Sequence, residues 1–126
     1  MVSDAVDFLD RLVERFPELA EDYEDHVENN GGALPHVFFG DVTDAVVAAY
    51  CHDAEGGKET EYARLDWRGL LGFFEETYPA APLRVKEVIV TSFLLDLPWP
   101  KQPGYGLAGC LGPVLAGKFA EVRPGG

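Results

Sequence analysis

Cysteine, histidine and methionine are scarce in this sequence, which contains two, three and one of them, respectively. Cys51 and Cys110 are widely spaced, so the sequence indicates no disulfide framework. We interpret both as small hydrophobic residues of the interior. No CxxC, HxxxH or ExxH pattern, the usual signature of a transition-metal site, occurs.

Long apolar runs are also missing. No stretch approaches the roughly 20 residues that span a bilayer, and the N-terminus carries Asp4 and Asp7 where a signal peptide would be basic. We therefore expect a cytoplasmic protein that does not bind a membrane. A hydrophobic share of 47% and a charged share of 25% are typical of a globular protein, and the 126 residues predict a single domain, 1–126.

Basic residues are few: the chain has ten against 22 acidic ones, a net charge of −12. Residues 1–30 alone hold ten acids and two bases. A field of this sign repels nucleic acid and attracts basic surfaces, so we expect a basic protein as partner and no direct nucleic-acid binding. The alternative interpretation is that the charge serves solubility alone.

The spacing of apolar residues predicts an acidic helical hairpin at the N-terminus. Residues 3–30 fit two amphipathic helices, with Ser3 as the first N-cap and a break at Pro17. The Asn-Asn-Gly-Gly segment at 29–32 is a strong helix stop. The outer face of this hairpin would be densely acidic.

The rest of the chain is predicted to be helical as well. A central helix begins at Pro35 and runs to about Asp53. The remaining predictions are a fourth helix at 59–78, a buried helix at 83–97 with a strand at 88–91 as the alternative, a proline-rich connector at 98–104 and a last helix at 106–122 broken at Gly112-Pro113. The fold class is therefore all-α, a compact bundle of five to six short helices.

Three segments are distinctive, namely LPHVFFGDV at 34–42, SFLLDLP at 92–98 and LGPVL at 111–115. With them the chain resembles, from about residue 16 to 115, an uncharacterised family of small bacterial proteins. The resemblance implies a bacterial origin and a helical fold. It brings no established activity, substrate or site residue.

Few residues offer site chemistry. Gly57-Lys58 lacks the Ser or Thr of a phosphate loop, and a calcium loop starting at Asp25 would need glycine at Asn30, so no cofactor is predicted. Glu75-Glu76 is interpreted as a solvated face, and Cys51 and His52 point apart on a helix. An enzyme is therefore not the preferred prediction. A metal site could combine four residues, His26, His36, Asp41 and Asp44.

Binding is the function that the residues favour. Tyr23 lies within the acidic stretch of the second helix, and aromatic groups combined with dense charge favour fast, salt-sensitive association. We predict a protein-binding module, in particular an immunity-type inhibitor of a basic protein; the alternative is a small enzyme or a metal-binding protein. The predicted partner-binding residues are Glu21, Asp22, Tyr23, Glu24, Asp25 and Glu28. Trp99 is a second candidate contact, although an aromatic residue at such a position is more often a lid over the core.

Overall fold

A computed structural model describes residues 3–126. These residues form six α-helices and contain no β-strand, which confirms the all-α prediction. The helices are α1 (Asp4–Arg15), α2 (Ala20–Asn30), α3 (Pro35–Ala54), α4 (Trp67–Thr77), α5 (Leu83–Ile89) and α6 (Pro113–Val122). None of the helices in this described part is both long and apolar enough to cross a membrane.

Local signals set the bounds of the N-terminal helices. The Ser3 side chain accepts a hydrogen bond from the backbone N–H of Val6 and so caps α1. Pro17 begins a single 3₁₀ turn that separates α1 from α2. Gly31 ends α2 with φ +67°, a left-handed conformation that glycine adopts without steric cost.

Helix α3 lies at the centre of the hydrophobic core. Its apolar side includes Phe38 and Phe39, both fully buried, while Asp41 and Asp44 are exposed on the opposite side. The rings of Phe39, Phe8 of α1 and Phe74 of α4 all contact one another, with centroid separations of 5.8 Å for Phe8–Phe39, 5.2 Å for Phe39–Phe74 and 6.2 Å for Phe8–Phe74. Helix α3 is therefore apolar on the side that faces the core and acidic on the side that faces solvent.

The predicted start of the fourth helix is wrong. Residues 59–66 form turns, and α4 begins only at Trp67. Asp66 caps it, because its carboxylate accepts a hydrogen bond from the backbone N–H of Gly69 at 2.9 Å. Upstream, the hydroxyl of Thr60 accepts from the N–H of Tyr62, which stabilises a turn in competition with a helix.

Residues 83–94 are helical throughout, so the alternative strand at 88–91 is absent. Helix α5 continues directly into one π-helical turn, Val90–Leu94. Phe93 and Leu94 of this turn are fully buried. The wider π turn explains why apolar residues at 83–97 occupy more than one face in the sequence pattern.

The C-terminal part matches the predicted break, with one correction. A 3₁₀ segment, Tyr105–Cys110, precedes α6, which begins at Pro113. Glu75 is not part of a solvated face, because its two carboxylate oxygens accept the backbone N–H groups of Val114 and Leu115 at 2.8 and 2.9 Å. It therefore caps α6 from another helix, and Gly112 leaves room for it: a Cβ there would lie 2.5 Å from the Glu75 carboxyl carbon.

Candidate functional site

An open cleft of about 390 Å³ lies between α2 and α3. One wall carries side chains from successive turns of α2, the other carries side chains from the exposed side of α3, and Tyr62 comes from the loop before α4. We call this feature the acidic cleft; its lining residues are Asp22, Asp25, His26, Asn29, Asn30, Val37, Asp41, Asp44 and Tyr62.

Four aspartates dominate the charge of the acidic cleft, and none of its lining residues is Lys or Arg. Among residues 3–126 the ion pairs are Asp7–Arg11 and Glu121–Lys118, both outside the cleft. Partial burial raises the pKa of Asp44, and the negative charges of Asp41 and Asp96 raise it further. The cleft therefore concentrates negative charge that no lining side chain neutralises.

His26 lies at the base of the cleft and is buried. Its Nε2 accepts the backbone N–H of Leu34 at 2.9 Å, and its Nδ1 lies 3.2 Å from the amide nitrogen of Asn30. The ring also packs on Phe38, with the centroids 5.5 Å apart. His26 thus fixes the turn between α2 and α3, and its Nε2 lone pair is not free for a metal ion.

His36 lies outside the acidic cleft. Its Nδ1 is 3.1 Å from the hydroxyl of Ser92 in the π-helical turn, and it lines a different cleft beside Arg84 and Glu87. The structure therefore does not bring the predicted metal ligands His26, His36, Asp41 and Asp44 to one point. Throughout residues 3–126, no group of three or more His, Cys, Asp or Glu side chains is arranged to hold a metal ion.

The five acidic residues among the predicted partner-binding residues divide into two sets. Asp22 and Asp25 line the acidic cleft. The other acidic members lie along a neighbouring side of α2 at helical spacing, exposed to solvent and outside the cleft lining. We call this second set the open face; it consists of Glu21, Glu24 and Glu28.

Tyr23 has an intramolecular role. Its hydroxyl donates a hydrogen bond to Asp10 of α1 at 3.0 Å, and its ring packs on Phe38 at a centroid distance of 4.9 Å. Burial and the carboxylate of Asp10 together raise the pKa of Tyr23 to about 12. The half-buried Tyr23 therefore connects α1, α2 and α3.

Tyr62 is a cleft residue that the sequence did not indicate. Its hydroxyl donates to the carboxylate of Asp22 at 2.7 Å, across 40 positions of the chain. Burial is the main reason why the pKa of Tyr62 is raised, and Asp22 adds to it. No local pattern marks such a contact; an aromatic residue in an otherwise polar loop is the only available sign.

The two cysteines are free thiols, and only one of them has interior contacts. Cys51 is half-buried, and burial together with Glu55 raises the pKa of its thiol. Cys110 is exposed, so its predicted interior position is wrong. His52 contacts the carbonyl of Gly57 at 3.2 Å. Cys51 therefore lacks the electropositive surroundings that activate a nucleophile.

Comparison with known proteins identifies a family but no activity. The model of a domain of unknown function, DUF7674, matches residues 9–108. The chain belongs to this family. No curated protein and no solved structure matches the chain. The match confirms the resemblance to an uncharacterised family.

The DUF7674 match contains the whole candidate site. It runs from within α1 to the 3₁₀ segment before α6, so all residues lining the acidic cleft lie inside it. Helix α6 lies beyond the matched residues, although Glu75, which caps it, lies within them. The acidic cleft therefore lies entirely within the part of the chain that the family model covers.

Proposed function

We propose that this domain binds a basic protein through the acidic cleft. The observation that carries the proposal is the convergence of Asp22 and Asp25 from α2 with Asp41 and Asp44 from α3, without a lining Lys or Arg. Lysine and arginine side chains of a partner would supply the missing positive charge. The spacing of these basic side chains on the partner would have to match the spacing between the aspartates of α2 and those of α3. This requirement makes the cleft more selective than a uniformly acidic surface.

The acidic cleft by itself carries an electrostatic cost. Partial burial raises the pKa of Asp44, and the like charges of Asp41 and Asp96 raise it further, so ionised Asp44 is disfavoured in the cleft. A cationic side chain in the cleft would relieve the repulsion and gain hydrogen bonds to ionised carboxylates. The open face would add a longer-range attraction that accelerates encounter and weakens with salt.

The more specific form of the proposal is an inhibitor of the immunity type. In that case the basic surface captured by the cleft would also be the surface through which the partner acts, and binding would block it. We further propose that the protein is bacterial and works in the cytoplasm. The metal-binding alternative has less support, because His36 lies apart from His26, Asp41 and Asp44.

Two matched variants test the proposed function. The first replaces Asp25, Asp41 and Asp44 by Asn and so removes three charges from the cleft. The second replaces Glu21, Glu24 and Glu28 by Gln and removes three charges from the open face. Tyr62 and its partner Asp22 stay intact in both.

Each variant is immobilised and used for capture from native lysate at low and moderate ionic strength, with retained proteins identified by mass spectrometry. We expect the unmodified protein to retain a basic protein that elutes as salt increases. The cleft variant should lose this partner, whereas the open-face variant should bind it more slowly and with lower affinity. Equal retention by the cleft variant and the unmodified protein would refute the proposal.

A further inference from the structure

A second cleft, of about 560 Å³, adjoins the acidic cleft. It lies between the exposed side of α3 and the connector that follows the π-helical turn. Asp44 lines both clefts, so the two form one continuous surface. We call the second cleft the Trp99 groove; the lining residues that matter here are Asp44, Val47, Leu95, Asp96, Trp99 and Pro103.

The groove presents apolar surface to solvent. Trp99 is 53% exposed and Leu95 is 40% exposed, although both are large hydrophobic residues. Val47 of α3 and Pro103 of the connector extend the same surface. Trp99 is therefore more exposed than the lid over the core that the sequence favours for this residue. Exposed tryptophan beside aliphatic side chains is typical of protein-binding surfaces.

Trp99 is held in place before any partner arrives. The guanidinium carbon of the buried Arg123 lies 3.8 Å from the centroid of its indole ring. The backbone N–H of Trp99 also donates to the side-chain oxygen of Gln102 at 2.7 Å. A tryptophan fixed in this way loses little conformational entropy when it is covered, which favours its use as a binding anchor.

The negative charge of the groove limits which kinds of molecule can bind there. Asp44 and Asp96 contribute carboxylates, and none of the groove's lining residues is Lys or Arg. Nucleic acid and anionic lipid would both be repelled by this charge. A protein segment with an apolar side chain close to a Lys or Arg is complementary to both parts of the surface.

We propose that the Trp99 groove binds a segment of the basic partner in which an aliphatic or aromatic side chain lies close to a lysine or arginine. The apolar side chain would pack on Trp99 and Leu95, and the cation would pair with Asp44 or Asp96. This inference rests on the proposed function and adds to it: the acidic cleft attracts positive charge of any origin, whereas the groove selects the residues beside that charge.

Two labelled peptides of equal length and equal charge provide the test. One consists of lysine and glycine only, and in the other two glycines are replaced by leucine. Binding to the full chain at low ionic strength is measured by fluorescence anisotropy. Since burial of leucine side chains adds affinity, we expect the leucine peptide to bind about tenfold more tightly than the glycine peptide.

Variants locate the preference. Leu95→Ser and Trp99→Ala should each bring the two peptides to equal affinity. Leu95→Ser keeps the contact between Trp99 and Arg123, so it covers the case in which Trp99→Ala unfolds. Val114→Ser, at a position 41% exposed on α6 and outside the groove, is the matched control and should preserve the preference.

The outcomes separate the two proposals. Equal affinity of the unmodified chain for both peptides, with binding still dependent on salt, would refute the groove and leave the acidic cleft standing. Binding of neither peptide would refute both. Self-association of the chain would also overturn the inference if the Leu83→Ser variant abolished it. Leu83 is 71% exposed and lies next to Arg84, so the segment seated in the groove would then belong to a second copy of this chain.

Discussion

The guanidinium of Arg123 packs against the indole ring of Trp99, with 3.8 Å between its central carbon and the ring centroid. The same group donates to the backbone carbonyls of Leu94, Leu97 and Pro98 at 3.2, 2.6 and 3.1 Å. Burial lowers the pKa of Arg123. Its charge is stabilised inside the protein by carbonyl dipoles and by the rings of Trp99 and Phe119, and no carboxylate among residues 3–126 pairs with it.

Replacing Arg123 by lysine should be costly despite the conserved charge. A lysine ammonium cannot contact three carbonyls in the fork geometry of a guanidinium and does not stack on indole, so we expect a loss of about 2 kcal/mol in the free energy of unfolding. Urea denaturation measures it. The exposed Arg84→Lys is the control, with a change below about 0.5 kcal/mol. Equal stability of the two variants would contradict the structural role.

Glu75 and Glu76 are neighbours with different environments. Only Glu75 caps α6 by accepting the N–H groups of Val114 and Leu115. Glu75→Ala should therefore lower the free energy of unfolding by about 1 to 2 kcal/mol, the usual cost of losing a helix cap. Glu76→Ala should have almost no effect. Thermal unfolding of the pair decides the matter, and a comparable loss in both variants would argue against the cap.

Asp44 should reduce stability at neutral pH. Its folded-state pKa is raised, so the folded protein holds the Asp44 proton more tightly than the unfolded chain does. The stabilising contribution is complete below the ordinary pKa of 3.8 and is lost as the pH rises through the raised value. Ionised Asp44 then opposes folding.

Asp44→Asn should accordingly raise the free energy of unfolding at neutral pH by about 0.5 kcal/mol or less, since exposed charges are screened. The difference from the unmodified protein should disappear below the ordinary pKa of aspartate. Urea titrations at the two pH values give both numbers. Lower stability of Asp44→Asn at neutral pH would show that repulsion within the acidic cleft is not significant.

His26 should stabilise the fold through its hydrogen bond and its packing. Its replacement by alanine leaves the N–H of Leu34 without its acceptor and removes a ring that packs on Phe38. We expect a loss of about 2 to 3 kcal/mol in the free energy of unfolding. Glu28→Ala, on the exposed side of the same helix, should change it by less than about 0.5 kcal/mol. Chemical denaturation monitored by circular dichroism is the measurement.

The parts of the fold that local chemistry determines could be predicted from the sequence. Ser3, Pro17 and Gly31 each act on the backbone within a few residues, so the bounds of α1 and α2 follow from them. The start of α4 was misplaced because helical spacing continues upstream of Trp67. The hydrogen bonds of Thr60 and Asp66 decide against a helix there.

The candidate site could be predicted only in pieces. Acidic residues of α2 and the pair Asp41 and Asp44 of α3 were recognised, but as parts of two different hypotheses, a partner surface and a metal site. Their union in one cleft depends on how α2 packs against α3. Contacts such as Tyr62 with Asp22 join residues 40 positions apart, and no local periodicity encodes them.

The proposed partner would have to match the register of helix α3. Asp41 in the acidic cleft and Ala48 in the Trp99 groove lie on this one continuous helix, so about 10 Å along its axis separates them. An extended chain covers this length in about three residues, and a helix covers it in about two turns. The number of residues between a lysine or arginine and an apolar residue is thus a criterion that can be applied to the sequence of a candidate partner alone.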